Sequence, residues 1–151
     1  LTQMRGEGIV PYAMADAGVP ISRVPEALRE LKAVAKKAGA SLIVMFGHIG
    51  DGNIHIGLSL DPTKELEKGD KITRAIMETV LDKYKGTITA EHGIGLSKAL
   101  FMPLEHGVAL DYMRKIKKVF DPNGIMNPGI MGLDEVPQST FTHMPKKVGG
   151  N

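Results

Sequence analysis

The chain has 151 residues, enough for one domain with a real core and too few for two full catalytic domains. Lysine and arginine number 19 against 17 aspartates and glutamates, so the net charge of +2 is no match for a nucleic-acid backbone. The absence of cysteine excludes disulfides, thiolate ligands, a cysteine nucleophile and iron–sulfur ligation, and leaves His, Asp and Glu to hold any metal.

The longest apolar run, Leu42 to Phe46, is far below the roughly 20 residues of a membrane span, and Arg5 and Glu7 interrupt any signal-peptide core. A start at Leu1 rather than Met points to a processed or truncated piece of a longer protein. Within residues 1 to 20, Asp16, Val19 and Pro20 suggest a short extended segment. From Ser22, with Pro25 and Glu26 in the first turn, Leu28, Leu31, Val34 and Ala35 recur at helical spacing until Gly39. Ser41 to Gly47 is a β-branched apolar run, and Ile54, Ile56, Leu58 and Leu60 alternate with His55, Gly57 and Ser59, predicting two strands, the second half-buried. Between them Ile49-Gly50-Asp51-Gly52-Asn53 is dense in turn residues, so the pair reads as a β-hairpin.

Residues 64 to 85 carry a second amphipathic helix on Ile72, Ile76, Met77, Val80, Leu81 and Tyr84, stopped by Gly86. Thr87 to Ala90 reads as a third strand, and Glu91-His92-Gly93-Ile94-Gly95 as a Gly-rich loop before a helical segment around Leu96 to Leu100. A last helix over about Leu110 to Phe120 has Tyr112, Met113, Ile116, Val119 and Phe120 as its apolar stripe, with its basic residues on a solvated face. Asp121-Pro122-Asn123-Gly124 ends it, Asn127-Pro128-Gly129 makes a second turn, and the tail from 132 to 151 has no apolar period and reads as poorly structured.

The pattern H-x-G-D-G-N-x-H at His48 to His55 carries the chemistry. If Asp51-Gly52 is a two-residue turn, His48 stands opposite His55, and both imidazoles leave the same face about 5 Å apart at their Cβ atoms. Two such rings converge on one ion, or serve simply as polar hairpin positions. Glu91 supplies the carboxylate that a His pair needs, and equally suits the start of a helix. Two imidazoles and a carboxylate leave coordination positions open, as in catalytic zinc; manganese and iron take the same set. His92 then stands beside the metal, and an imidazole, with its ordinary pKa of about 6.5, suits proton transfer at neutral pH. His106 and His143 have no partners in sequence and read as exposed. Gly93-Ile94-Gly95-Leu96-Ser97-Lys98 lacks the spacing of a phosphate loop or dinucleotide fingerprint.

Three blocks in this order, Phe46-Gly47-His48-Ile49-Gly50-Asp51-Gly52-Asn53-Ile54-His55, Gly86 to Gly95, and Phe120-Asp121-Pro122-Asn123-Gly124-Ile125-Met126-Asn127-Pro128-Gly129, resemble the C-terminal domain of FAD-linked oxidases. That family includes glycolate oxidase, D-lactate dehydrogenase and D-2-hydroxyglutarate dehydrogenase. The resemblance implies an α+β fold: a ferredoxin-like antiparallel sheet with helices packed on it, over residues 1–131, serving as the substrate or cap domain of a flavoenzyme. It places the FAD-binding domain outside this chain, in the same or a partner polypeptide. It implies oxidation of a small 2-hydroxy acid to the 2-oxo acid with hydride transfer to FAD. By the same resemblance His48, His55 and Glu91 bind a divalent metal, zinc first, and His92 is the base. Arg5 and Asn53 contact substrate, and Asn127 lies near the flavin. The motif departs from some relatives at Gly57, where they carry Asn, and near Met14, where they carry Lys. The implied setting is cytoplasmic, with peripheral attachment to the inner face of a membrane and an iron–sulfur subunit as electron acceptor. Two other classes remain open: a metal hydrolase using the same three ligands, and a non-catalytic interaction domain.

Overall fold

The computed structural model describes residues 10–60 and 65–134. Arg5 and residues 135–151 of the expected loose tail lie outside the described residues, while Gly132 of that tail ends a 3-10 turn and Asp134 stands 3.5 Å from Lys117 Nζ. Two units divide the chain, one ending at His92 and one beginning at Gly93. No helix among the described residues is long and apolar enough to cross a membrane.

In the first unit, Val10–Gly18 (β1), Val24–Lys37 (α1), Ile43–Phe46 (β2), Asn53–Leu60 (β3) and Leu66–Tyr84 (α2) follow in chain order. The three strands form an antiparallel sheet in the order β1-β3-β2, so the class is α+β as the sequence implies. Pro25 and Glu26 in the first turn and Lys36 and Lys37 in the last suit the α1 dipole, and Gly39 at φ 105° lets the chain leave it. Its buried stripe is Val24, Ala27, Leu31 and Ala35. Ile72, Ile76, Met77, Val80 and Tyr84 of α2, which packs against α1, and Ile54, Ile56, Leu58 and Leu60 of β3 are all buried with it. Each such aliphatic side chain contributes about 1.5 to 3 kcal/mol by leaving water. Tyr84 donates its hydroxyl proton to Glu30 Oε2 at 2.6 Å, which ties α2 to α1. Burial first, then that bond, pushes the phenol pKa up.

Three differences from the sequence reading fall in the first unit. The connection from β2 to β3 is longer than a two-residue turn: Phe46, not His48, pairs with His55, and Ile49–Asp51 forms a 3-10 turn. The second strand is buried on both faces from Asn53 to Leu58, because it is the central strand and has neighbours on either side. The third strand expected over Thr87 to Ala90 is reduced to one antiparallel bridge, Gly18 with Thr87. The physical reason is that the next amides donate to a side chain, Asp16, rather than to a neighbouring backbone. Gly86 makes the bridge sterically feasible, since a Cβ there would come within 2.2 Å of the Gly18 carbonyl oxygen.

Further differences lie in the second unit, which contains a 3-10 turn at Ala99–Phe101 in place of the helix expected at 96–100, then Met102–His106 (α3) and Ala109–Phe120 (α4). The expected apolar stripe of α4 does not form core: Tyr112, Ile116, Val119 and Phe120 are exposed, and the helix buries Leu110. Periodicity tells which residues share a face, not whether anything covers it. His106, expected to be exposed, is half-buried, and His143 lies outside the described residues.

The turn after α4 is built on the buried carboxylate of Asp121, which pairs with Lys117 Nζ and accepts the N–H groups of Ile125 at 3.0 Å and Met126 at 2.9 Å. The Lys117 hydrogen bond, reinforced by those two amides, holds the Asp121 pKa down at about 2. A carboxyl with a depressed folded pKa gives stability that is full above its ordinary pKa near 3.9 and is lost as pH falls toward 2. We therefore expect the thermal midpoint to drop between about pH 4 and 2. An Asp121→Asn variant should be less stable at neutral pH and should flatten this part of the profile; an unchanged acid limb would rule Asp121 out as its source.

Candidate functional site

The site begins with a row across the sheet. Asp16 on β1 pairs with His55 on β3, and His55 pairs with Phe46 on β2, so the three side chains share one face. A register shift in β1 between Tyr12 and Ala15 decides this. With the register of Tyr12↔Leu58 carried onward, Asp16 would stand opposite Ile54 and project to the other, apolar face. After the bulge, Ala15 and Ala17 join Ile56 and Ile54, and Asp16 joins His55. His55 is 2% exposed, and its ring lies 5.0 Å from the Phe46 ring.

His48 leaves β2 two residues beyond Phe46. The register differs from the simple turn by an even number, so His48 keeps the His55 face, and the two rings stand edge to face at 6.0 Å. The loop between them is held by Asp51 N–H to His48 O at 3.0 Å and Asn53 N–H to His48 O at 3.2 Å. Glu91 arrives from the segment after α2: its Oε1 is 2.7 Å from His55 Nε2 and its Oε2 is 3.6 Å from His48 Nε2. One ligand atom from each of His48, His55 and Glu91 lies within 4.8 Å of the other two.

The turn bearing Glu91 hangs on Asp16, a residue that the sequence reading placed only in an extended segment. Asp16 Oδ2 accepts from Thr89 Oγ1 at 2.9 Å and from the amides of Ala90 at 3.2 Å, Glu91 at 3.2 Å and His92 at 2.9 Å. A carboxylate between two alanines in a strand-like stretch was the available signal, but its face depends on the bulge. His92 projects beside the group, with its ring 4.9 Å from that of His55 and Nε2 3.4 Å from Glu91 Oε1.

The expected substrate and flavin contacts are more scattered. Asn53 begins β3 and is buried, and its Oδ1 makes no hydrogen bond among the described residues. Asn127 sits in the second unit, exposed in a left-handed turn at φ 46°. Arg5 lies outside the described residues.

Chemically, two neutral imidazoles and one carboxylate are the donor set that borderline divalent cations take. Ligand atoms about 2.0 to 2.1 Å from a tetrahedral zinc stand roughly 3.4 Å apart. The 2.7 and 3.6 Å separations go to different oxygens of Glu91, and one ligand atom from each residue lies within 4.8 Å of the others, so the side chains would have to draw in to close on an ion. The His55 side chain is buried, while those of His48 and Glu91 are 61% and 41% exposed, which leaves an open side for a small ligand. The residues present therefore fit a metal with open coordination positions.

Comparison with known proteins bears on what such a site is for. Residues 1–131 match the model of the family described as FAD linked oxidases, C-terminal domain. The chain is 40% identical over 120 residues to a D-2-hydroxyglutarate dehydrogenase of Stutzerimonas stutzeri, covering 76% of this chain and 26% of the relative. It is 37% identical over 131 residues to a mitochondrial D-lactate dehydrogenase [cytochrome] of Arabidopsis thaliana, covering 78% and 22%. With the glycolate oxidase subunit GlcD of Bacillus subtilis the figures are 36% over 121 residues, covering 78% and 25%. The chain thus spans about a quarter of the length of these relatives. With the family's pattern running from residue 1 to 131, the chain belongs to the C-terminal domains of FAD-linked oxidases.

Proposed function

We propose that this chain is the substrate-binding, ferredoxin-like cap domain, residues 1–131, of an FAD-dependent dehydrogenase for small 2-hydroxy acids of the glycolate or D-lactate type. The carrying observation is the convergence of His48, His55 and Glu91, from two separate segments, within 4.8 Å in a member of an FAD-linked oxidase family. The element order β-α-β-β-α, with the Gly18–Thr87 bridge after α2, supports the ferredoxin-like reading. Family membership favours oxidation over the hydrolase and interaction-domain readings.

In this reading His48, His55 and Glu91 hold a divalent metal, zinc first, and the FAD-binding domain, in the same or a partner polypeptide, holds the flavin. When bound, the metal supplies positive charge for a developing alkoxide and the flavin supplies the redox chemistry. His92 takes the substrate hydroxyl proton at its imidazole. Asn53 Oδ1, buried and without a hydrogen bond, suits a substrate donor. Arg5 suits the carboxylate through its planar fork, and Asn127 is assigned to the flavin side. An iron–sulfur subunit is the proposed electron acceptor.

Elemental analysis after dialysis against a weak chelator tests the metal assignment. The expected outcome is about one equivalent of zinc, manganese or iron in the parent and none in a His48→Ala/His55→Ala double variant. A metal-free parent, or equal metal in both, would overturn it. Flavin-dependent oxidation of glycolate or D-lactate by the chain joined to its FAD-binding domain tests the reaction; flavin-independent hydrolysis by the chain in its place would sink it.

A further inference from the structure

We infer that Asp16 is the positioning residue of this site: one carboxylate fixes both the His55 ring and the turn that carries Glu91 and His92. The assignment to a metal rests on the preceding reading, whereas the contacts do not. Asp16 is 1% exposed and stands directly opposite His55 across the sheet. Its two oxygens face different elements. Oδ2 gathers the Thr89 hydroxyl and three consecutive amides, so the backbone at Ala90 to His92 is set by this one group. Oδ1 lies 3.6 Å from His55 Nδ1, a buried nitrogen that makes no hydrogen bond among the described residues.

The geometry defines a task at each oxygen. His55 Nε2 is the nitrogen that faces Glu91, at 2.7 Å, so it is the one available to a shared ion. An imidazole that ligates through Nε2 carries its proton on Nδ1, and that N–H needs an acceptor which also stops the ring from rotating. Asp16 Oδ1 is the oxygen that faces this nitrogen, at 3.6 Å, and a small approach would make it the acceptor. The same carboxylate keeps Glu91 and His92 at fixed positions relative to that ring, although Ala90 lies 74 residues beyond Asp16 in sequence, by way of α1, β2, β3 and α2. Asp16 itself contacts neither substrate nor metal in this scheme; it acts through the residues that do.

Asp16→Asn separates positioning from a merely structural role. The amide oxygen can still accept from the turn, but the NH2 group then points a donor at His55 Nδ1, which favours the tautomer with its proton on Nε2 and removes the ligating lone pair. Thr89→Val is the control, since it deletes one hydrogen bond of the turn and leaves His55 untouched. Zinc affinity of the full chain is measured by competition with a chromophoric chelator, with the urea midpoint of each variant as a check on folding. The expected result is a Kd about 10- to 100-fold higher for Asp16→Asn and within about threefold of the parent for Thr89→Val. Equal zinc affinity in parent and Asp16→Asn overturns the inference, and so does an equal loss in both variants, which would reduce Asp16 to a turn support. If Asp16→Asn unfolds, Asp16→Glu, which keeps the acceptor, is expected to retain zinc binding better than Asp16→Ala; no difference between them overturns the inference. If the parent itself binds no zinc, the metal reading fails, and the ring signals of His55 in NMR spectra decide the remainder. They are expected to move in Asp16→Asn and to stay in Thr89→Val, and an unmoved His55 in the former overturns the positioning role as well.

Discussion

His92→Ala in the chain joined to its FAD-binding domain is expected to lower kcat by about 10² to 10⁴, the usual contribution of a positioned general base. Metal and flavin content should remain at parent levels. The structure supplies the reason for expecting so selective an effect. The His92 side chain is 55% exposed, and what anchors the residue is its backbone N–H, donated to Asp16 Oδ2 at 2.9 Å. Truncation at Cβ leaves that bond, the turn and Glu91 in place. The three residues grouped as metal ligands do not include His92. Steady-state kinetics with a 2-hydroxy acid, alongside metal and flavin quantitation, measures all three quantities. Unchanged turnover would remove His92 from the base role, and loss of metal along with turnover would place it among the ligands instead.

Gly52→Ala is expected to destabilise the first unit by about 3 kcal/mol, whereas Gly50→Ala stays within about 0.5 kcal/mol of the parent. The two glycines are equivalent in the motif and differ completely in their surroundings. Gly52 has φ 72°, and a Cβ there would lie 2.1 Å from the Val19 carbonyl oxygen, a backbone atom that cannot swing aside. The Gly52 carbonyl in turn accepts the Val19 N–H at 3.0 Å, so relief of the clash breaks that bond too. A Cβ on Gly50 meets nothing within 4 Å. Because the loop sets the position of His48, the Gly52 variant should also weaken zinc binding, and the Gly50 variant should not. Urea denaturation of both variants checks the contrast; equal midpoints would show that the loop relaxes around the added methyl.

Much of the outline was legible along the chain because it depends on neighbours in sequence. Residues 24 to 37 and 66 to 84 announce helices by their apolar spacing and their stops, and Ile54, Ile56, Leu58 and Leu60 announce a strand. Asp121 to Gly124 announces the end of the last helix. The motifs around His48, His55 and Glu91 also named the residues that come together, since an even shift in register preserves which face a side chain takes.

What depended on distant parts of the chain was settled only by folding. No local pattern reveals that β3 is central, for that follows from pairing with β1 on one side and β2 on the other. The failure of Thr87 to Ala90 to become a full strand comes from a carboxylate more than 70 residues earlier that captures its amides. The bulge in β1 turns Asp16 toward His55, and a one-residue slip there would have sent it to the apolar face. The stripe of α4 reads as core by period yet faces outward, because burial requires a second surface and a helix encodes only its own. The sequence by itself thus determined the three longer helices, the apolar strand of residues 54 to 60 and the identity of the converging side chains. Tertiary structure alone decided their register, the role of Asp16 and which glycine cannot be replaced, because each of these depends on backbone from another segment arriving within hydrogen-bonding or contact distance.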